Sequence, residues 1–182
     1  MNTWRRKYGY RMLALAVGAL AVSPVFGHGP TRQKVVESVE IQAPAARVWE
    51  LVGDFTAGWP KWHPAIEASS GDNGNAVGSL RHLAIKGGKF LDEELEAYDA
   101  SAMSLKYRIK SGDALPVTNY SSTIKVNKLG DDKCAVEWRG AFYRGYPNND
   151  PPPDRNDEAA IAAVTGVYQT GLANLKVLAE RK

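Results

Sequence analysis

The densest group of side chains that could do chemistry lies in residues 59–66, with the sequence WPKWHPAI. Trp59, Trp62 and His63 fall close together in this stretch. A histidine among aromatic side chains is a candidate general acid or base, because the pKa of imidazole is close to neutrality. The alternative is that both Trp rings seal one end of the core and that His63 is partly exposed beside Pro64. We favour packing, because aromatic side chains contribute mainly through buried area, and we retain His63 as the best catalytic candidate.

The other ionisable side chains form no evident catalytic set. His82 alternates with Leu83 and Ile85 along a predicted strand, so we expect it to face solvent. An acidic run follows on the next strand, and we expect it to form a solvated face without a pair of catalytic carboxylates. The run comprises Asp92, Glu93, Glu94 and Glu96.

Motifs for several kinds of chemistry are absent from the sequence. It contains no nucleophile elbow, P-loop, dinucleotide-binding fingerprint or CxxCH haem motif. The single cysteine, Cys134, is expected to be a small buried residue. His28 could bind copper together with His63 or His82, but a mobile N-terminal tail is the favoured interpretation. We therefore expect no metal site and no cofactor, and we favour a binding protein over an enzyme.

A long amphipathic helix is predicted in residues 154–182, where Asp154 or Asn156 can cap its first turn. Gly166 and Gly171 lie inside the helical pattern, and each costs about 1 kcal/mol of helix stability relative to Ala. We expect the close approach of another backbone, or space for a ligand, to account for them. The apolar face comprises Ile161, Val164, Tyr168, Leu172, Leu175 and Leu178 or Ala179.

The preceding segments predict the sheet that this helix covers. Residues 34–42 alternate as a strand, a short helix begins at Pro44, and a compact turn or one-turn helix occupies residues 59–66. Residues 69–79 are predicted to be a connection rich in Gly and Asn. Further antiparallel strands are predicted at residues 80–85, 90–98, 104–110, 120–126 and 134–142. This order predicts an α+β domain in which a curved antiparallel sheet of about six or seven strands, with two short helices, packs against the long C-terminal helix.

Residues 1–27 are predicted to be a signal peptide that is cleaved before His28. Four basic residues precede an apolar stretch, residues 12–22, that is too short to span a bilayer. We therefore expect a periplasmic protein in which residues 28–33 form a tail and residues 34–182 form the domain.

Loss of this segment changes the charge balance of the protein. The full chain has 23 Lys and Arg residues and 20 Asp and Glu residues. Residues 1–27 contain four basic residues (Arg5, Arg6, Lys7 and Arg11) and no acidic ones, so 19 basic and 20 acidic residues remain, a formal net charge of −1. Net charge then gives no support for binding to nucleic acid or to a membrane surface.

With these elements in place, the chain resembles the START-like (SRPBCC or Bet v 1-like) superfamily and its polyketide cyclase/dehydrase branch. The resemblance rests on the first strand followed by APAARVWELVGDF, the WPKWHPAI segment, the run of hairpins, and GLANLKVLAE in the last helix. It covers residues 34–182. The FYRGYPNNDPPP and AAIAAVTGVY segments also resemble the exported MxaD-type subgroup of bacterial methanol oxidation.

The superfamily resemblance implies a helix-grip fold with a cavity between the sheet and the last helix. Members bind apolar molecules there, and some catalyse cyclisation, dehydration or hydrolysis. Ordinary core packing is the alternative for each residue implied to line the cavity. The implied ligand-binding residues are Trp59, Trp62, His63, Leu105, Tyr107, Trp138, Phe142, Val164, Tyr168 and Leu172.

The subgroup resemblance implies a non-enzymatic accessory role in electron transfer from a periplasmic methanol dehydrogenase, a quinoprotein, to its cytochrome c. The loop of residues 144–156 is rich in Pro, Asn and Asp and could present a surface to such a partner. Tyr143, Arg144 and Tyr146 are the candidate partner contacts. The alternative is a surface connection stiffened by proline.

Overall fold

The structure, a computed structural model, describes residues 29–181 and contains one sheet and two α-helices. The predicted signal peptide and His28 lie outside the described residues. The strands are β1 Gln33–Ile41, β2 Ile66–Gly71, β3 Leu80–Ile85, β4 Lys89–Asp99, β5 Ser104–Gly112, β6 Val117–Lys128 and β7 Cys134–Arg144. The α-helices are α1 Ala45–Val52 and α2 Asp157–Ala179, and two 3₁₀ helices span Trp59–Lys61 and Pro153–Arg155.

The seven strands form a single antiparallel sheet in the order β1-β7-β6-β5-β4-β3-β2. Consecutive strands from β2 to β7 are therefore neighbours, while β1 returns to pair with β7 along its full length, from Gln33 opposite Phe142 to Ile41 opposite Cys134. The predicted α+β helix-grip architecture is confirmed.

Helix α2 covers one face of the sheet and packs against β1 and β7. Its N-cap is Asn156, whose side chain accepts a hydrogen bond from the Ala159 amide over 2.7 Å. The same face of the sheet receives α1 and the 3₁₀ helix Trp59–Lys61, and Asn174 of α2 donates to the Trp62 carbonyl over 2.7 Å. These elements enclose the core on the side of the sheet that faces α2.

Two features of the sheet differ from the sequence prediction. Strand β2 lies partly in the segment predicted to be a connection, and its small polar residues pair with β3, with Ser70 opposite His82. Alternation along β4 predicts that Ala97 shares the buried face of Leu91 and Leu95, but a bulge between Leu95 and Ala97 leaves Ala97 exposed. Pairing with a neighbouring strand thus overrides the weak propensity of the β2 sequence.

No helix within residues 29–181 is long and apolar enough to cross a membrane.

Cys134 is fully buried, as predicted, and burial raises the pKa of its thiol.

Candidate functional site

A cavity of about 70 Å³ lies inside the domain, on the side of the sheet that α2 covers. Its walls are mostly apolar and come from the 3₁₀ segment, β2 to β7, the β5–β6 connection and α2. A few polar side chains reach the same space, which is the usual composition of a small-molecule site. The lining residues are Trp59, His63, Ala65, Ile66, Leu83, Ile85, Leu91, Glu93, Tyr107, Ile109, Ala114, Leu115, Tyr120, Trp138 and Val167.

The 3₁₀ segment supplies the aromatic end of this cavity. Pro60 and Pro64 prevent a longer helix here. Trp59 donates from its indole nitrogen to the Val52 carbonyl over 3.2 Å. Its ring meets the edges of Tyr107 and Trp138 at centroid distances of 5.3 and 5.4 Å. The segment is therefore fixed to both α1 and the sheet, and Trp59 forms a rigid wall.

His63 joins the 3₁₀ segment to α2. Its Nε2 lies 3.1 Å from the Val167 carbonyl, and its Nδ1 accepts from the Ala65 amide over 3.3 Å. These contacts require the tautomer protonated on Nε2. The side chain is buried rather than partly exposed as the packing alternative proposed, and only 2% of the residue is accessible. Because both nitrogens are engaged, His63 could serve as an acid or base only if one of these bonds broke.

Burial lowers the pKa of His63, and the hydrogen bond to Val167 opposes this shift. A depressed folded-state pKa means that the unfolded chain binds the proton more tightly. The contribution of His63 to stability is therefore complete above its unfolded pKa of about 6.5 and is lost as the pH falls below that value toward the folded pKa. We expect the free energy of unfolding to fall between pH 7.5 and pH 5.5, and this fall to be smaller in His63→Gln. Urea denaturation at both pH values measures the difference, and equal pH dependence in the two proteins would contradict it.

Five side chains form a hydrogen-bonded cluster in the core beside the cavity. Tyr168 stacks on Trp138 with a centroid distance of 4.3 Å, and its hydroxyl lies 2.8 Å from Ser122 Oγ and 2.6 Å from the Tyr120 hydroxyl. Trp138 Nε1 donates to Ser122 Oγ over 3.0 Å and to the Tyr107 hydroxyl over 3.1 Å. Burial raises the pKa values of Tyr107, Tyr120 and Tyr168, so all three phenols are protonated at neutral pH.

A buried ion pair lies at another part of the cavity wall. Arg81 Nε donates to Glu93 Oε2 over 2.7 Å, Nη2 lies 2.6 Å from the same oxygen, and Nη1 donates to the Phe55 carbonyl over 2.7 Å. The guanidinium carbon lies 3.8 Å from the Trp59 ring centre and 4.1 Å from that of Phe55. The Arg81 side chain is 0% accessible and the Glu93 side chain 3%. Burial raises the pKa of Glu93, and Arg81 opposes this shift.

This pair corrects the prediction for the acidic run. Glu93 points into the core, whereas Asp92, Glu94 and Glu96 lie on the other face. The sequence contained the signal, because Glu93 alternates in phase with Leu91 and Leu95, and Arg81 with Leu83. His82 is exposed as predicted, and it contacts Asp92 over 2.7 Å. No group of three or more His, Cys, Asp or Glu side chains between residues 29 and 181 could hold a metal ion.

Only some of the residues predicted to bind a ligand lie at the cavity. Trp59, His63, Tyr107 and Trp138 line it, and ligand contact by these four stays a prediction. The other predicted residues are buried in the packed core and do not line this cavity. They are Trp62, Leu105, Phe142, Val164, Tyr168 and Leu172.

The candidate partner residues lie at the end of β7 and at the start of the loop that leads to α2. Tyr143 and Tyr146 are half-buried, and Arg144 is buried. Arg144 donates to the carbonyls of Tyr146 and Asn148 over 2.9 and 3.0 Å, and to Asp157 over 3.3 Å. Arg144 thus holds its own loop together, and little of it is available to another protein.

Comparisons with known proteins identify the family and the fold of the chain. The family model described as polyketide cyclase / dehydrase and lipid transport matches residues 32–180. The MLP-like protein 423 of Arabidopsis thaliana is 31% identical over 123 residues, which cover 63% of this chain and 78% of that protein.

Solved structures show the same architecture. The protein XoxI from Bacillus cereus aligns with a TM-score of 0.68 and 32% identity, covering 80% of this chain and 94% of that one. The Zhui aromatase/cyclase from Streptomyces sp. R1128 aligns with a TM-score of 0.66 and 19% identity, covering 83% and 95%. The second likeness concerns the fold alone.

Proposed function

Because the chain belongs to the polyketide cyclase/dehydrase and lipid transport family, we propose that it binds a small apolar molecule in the cavity between its sheet and α2. The observation that carries the proposal is the cavity itself, an apolar space with Trp59 and Trp138 in its walls and a few polar groups at its edge. A packed core of this size leaves few such spaces. An apolar cavity can bind an apolar ligand, because the ligand makes the contacts that the cavity walls lack.

The size of the cavity limits the ligand. About 70 Å³ is roughly half of the 150 Å³ that accommodates benzene in an engineered cavity. A single ring therefore requires part of the wall to move. The β5–β6 connection is the natural part, since Ala114 and Leu115 line the cavity without belonging to a strand and both are only half-buried.

Shortening Leu115 tests this assignment. We expect Leu115→Ala to bind toluene roughly fourfold or more tightly than the original protein, because each additional buried methylene group of the ligand contributes about 0.8 kcal/mol. Leu129→Ala is the matched control, since Leu129 is exposed and does not line the cavity. Ligand-detected NMR titration gives the affinities. If toluene binds equally to the Leu115 and Leu129 variants, the β5–β6 connection does not limit entry to the cavity and this assignment is wrong.

A second role, which the sequence resemblance suggests, concerns a protein partner. We propose that the exported protein also contacts a periplasmic quinoprotein dehydrogenase or its cytochrome c through the loop of residues 144–156. The three side-chain contacts of Arg144 support this, because a loop that is already ordered loses less conformational freedom on binding. Tyr146, with Arg155 positioned 5.9 Å from its ring centre, is the aromatic group of this surface.

We expect Tyr146→Ala to weaken binding to the dehydrogenase or cytochrome about tenfold without changing the melting temperature of the domain, since Tyr is enriched among the few interface residues whose truncation costs more than about 1 kcal/mol. Tyr98→Ala, at a half-buried tyrosine that contacts Trp49 instead, is the control and should bind normally. Surface plasmon resonance with each purified partner makes the comparison. Unchanged affinity of Tyr146→Ala would remove the loop from the interface.

A further inference from the structure

The hydroxyl cluster beside the cavity has one consistent arrangement of its protons. Ser122 Oγ donates to the Arg139 carbonyl over 2.9 Å, which uses its only proton. It must therefore accept from both of its other neighbours, Trp138 Nε1 and the Tyr168 hydroxyl. Tyr168 then has no proton left for Tyr120, so Tyr120 donates to Tyr168 over 2.6 Å. The protons of Ser122, Tyr168 and Tyr120 are all committed inside the cluster.

Tyr107 is the exception. Its oxygen accepts from Trp138 Nε1 over 3.1 Å, and the acceptors near its proton are the Tyr120 hydroxyl at 3.5 Å and Ser122 Oγ. Ser122 Oγ already accepts two hydrogen bonds, from Trp138 and Tyr168, and has no lone pair left for Tyr107. Good O–H···O hydrogen bonds are about 2.5–3.0 Å long, so this contact leaves the proton poorly used. Tyr107 also lines the cavity. Tyr107 therefore belongs to the cavity wall and carries a donor that the cluster uses poorly, although its side chain is fully buried.

Glu93 supplies an acceptor on the adjacent strand. In the register of β4 and β5, Glu93 is opposite Ile109 and Leu95 is opposite Tyr107, which makes Glu93 and Tyr107 diagonal neighbours on the same face. Arg81 engages Glu93 Oε2, whereas Oε1 accepts no hydrogen bond from any residue between 29 and 181. The cavity wall thus combines one unused donor with one unused acceptor.

From this pairing we propose that the ligand is a neutral compound with a hydroxyl group, whose oxygen accepts from Tyr107 and whose proton is donated to Glu93. The inference rests on the proposed function and specifies the chemical class that the cavity selects. A charged ligand is disfavoured, because Arg81 and Glu93 already balance each other and a further buried charge would have no partner. An apolar molecule of the same shape would leave both groups unpaired.

Phenol and toluene form a matched pair of probes, since they share a ring and differ in one substituent. A cavity that forms no hydrogen bond with the hydroxyl group binds toluene more tightly, because phenol loses its hydrogen bonds to water on entry. We expect the opposite order, with phenol bound about tenfold more tightly than toluene, as one hydrogen bond to a charged group provides. Equal or tighter binding of toluene would overturn the hydroxyl assignment and leave the cavity as an apolar site. Binding of neither probe would overturn the proposed function as well.

Removal of the Tyr107 hydroxyl tests whether this group causes the preference for phenol over toluene. Tyr107→Phe should lose the preference for phenol, with the ratio of the two dissociation constants falling about tenfold. Tyr98→Phe is the matched control and should keep the ratio, because Tyr98 does not line the cavity. Circular dichroism establishes that both variants are folded. If Tyr107→Phe does not fold, the order of phenol and toluene in the original protein still decides the proposal. A folded Tyr107→Phe variant with an unchanged ratio would contradict it.

Discussion

Replacement of Arg81 by Met is expected to destabilise the domain by about 3–5 kcal/mol, because it leaves the Glu93 carboxylate buried without a partner. The substitution also removes the hydrogen bond to the Phe55 carbonyl and the stacking of the guanidinium between the Trp59 and Phe55 rings. The Phe55 and Trp59 contacts hold the segment after α1 against the sheet. Urea denaturation followed by tryptophan fluorescence measures the loss.

The double variant Arg81→Met/Glu93→Leu is the control that isolates the buried charge. Replacement of a buried ion pair by apolar side chains of similar size is often neutral or stabilising, so we expect the second substitution to recover most of the stability. If the double variant is as unstable as the single one, the Phe55 and aromatic contacts of Arg81 matter more than the charge of Glu93.

The pH dependence of this comparison has a defined sign. Burial raises the pKa of Glu93, and Arg81 is the group that opposes this shift, so its removal leaves burial unopposed. A carboxyl with a raised folded-state pKa contributes full stability below its unfolded pKa of about 4.3 and loses it as the pH rises through the folded value. The stability gap between the single and double variants should therefore widen from pH 4 to pH 7. A gap that stays constant would show that Glu93 does not titrate in this range.

Most of the fold was predictable because its elements are amphipathic with regular periods. Strand β7 illustrates this, since Val136, Trp138 and Phe142 alternate with Glu137 and Arg139 and are buried as the alternation indicates. The cap at Asn156 was predictable from the chemistry of helix ends. Strand β2 was not, because its sequence has little strand propensity and it forms only where β3 offers an edge.

The site was less predictable than the fold, because a cavity is defined by where side chains fail to meet. Alternation placed both Tyr107 and Phe142 on inward faces, yet only Tyr107 lines the cavity. Glu93 was predicted to be exposed because acidic runs usually are, and only its pairing with Arg81 allows it to be buried. The available proton of Tyr107 depends on a difference between 2.6 and 3.5 Å in two hydroxyl contacts, which no sequence pattern carries.

Replacement of either glycine of α2 by Ala is expected to change the stability of the domain, in opposite directions at the two positions. An ideal Cβ at Gly171 would lie 2.5 Å from His63 Cδ2 and 3.0 Å from Trp138 Cζ3, whereas at Gly166 it would meet no atom within 4 Å. Gly171 therefore permits a close approach, of side chains rather than of another backbone. Nothing in the structure explains Gly166.

We expect Gly171→Ala to destabilise the domain by about 1–3 kcal/mol through overpacking, even though Ala favours the helix by about 1 kcal/mol. His63 cannot simply move aside, because the Val167 carbonyl and the Ala65 amide fix its ring. Gly166→Ala has the same helix gain without the clash and should stabilise the domain by about 1 kcal/mol. Urea denaturation of the original protein and both variants in one buffer measures the two changes in the free energy of unfolding. Stabilisation by both substitutions would mean that the His63 and Trp138 side chains can shift to accommodate a Cβ atom at position 171. The cavity wall that these two residues form would then not be rigid, and ligand selection could not depend on its rigidity.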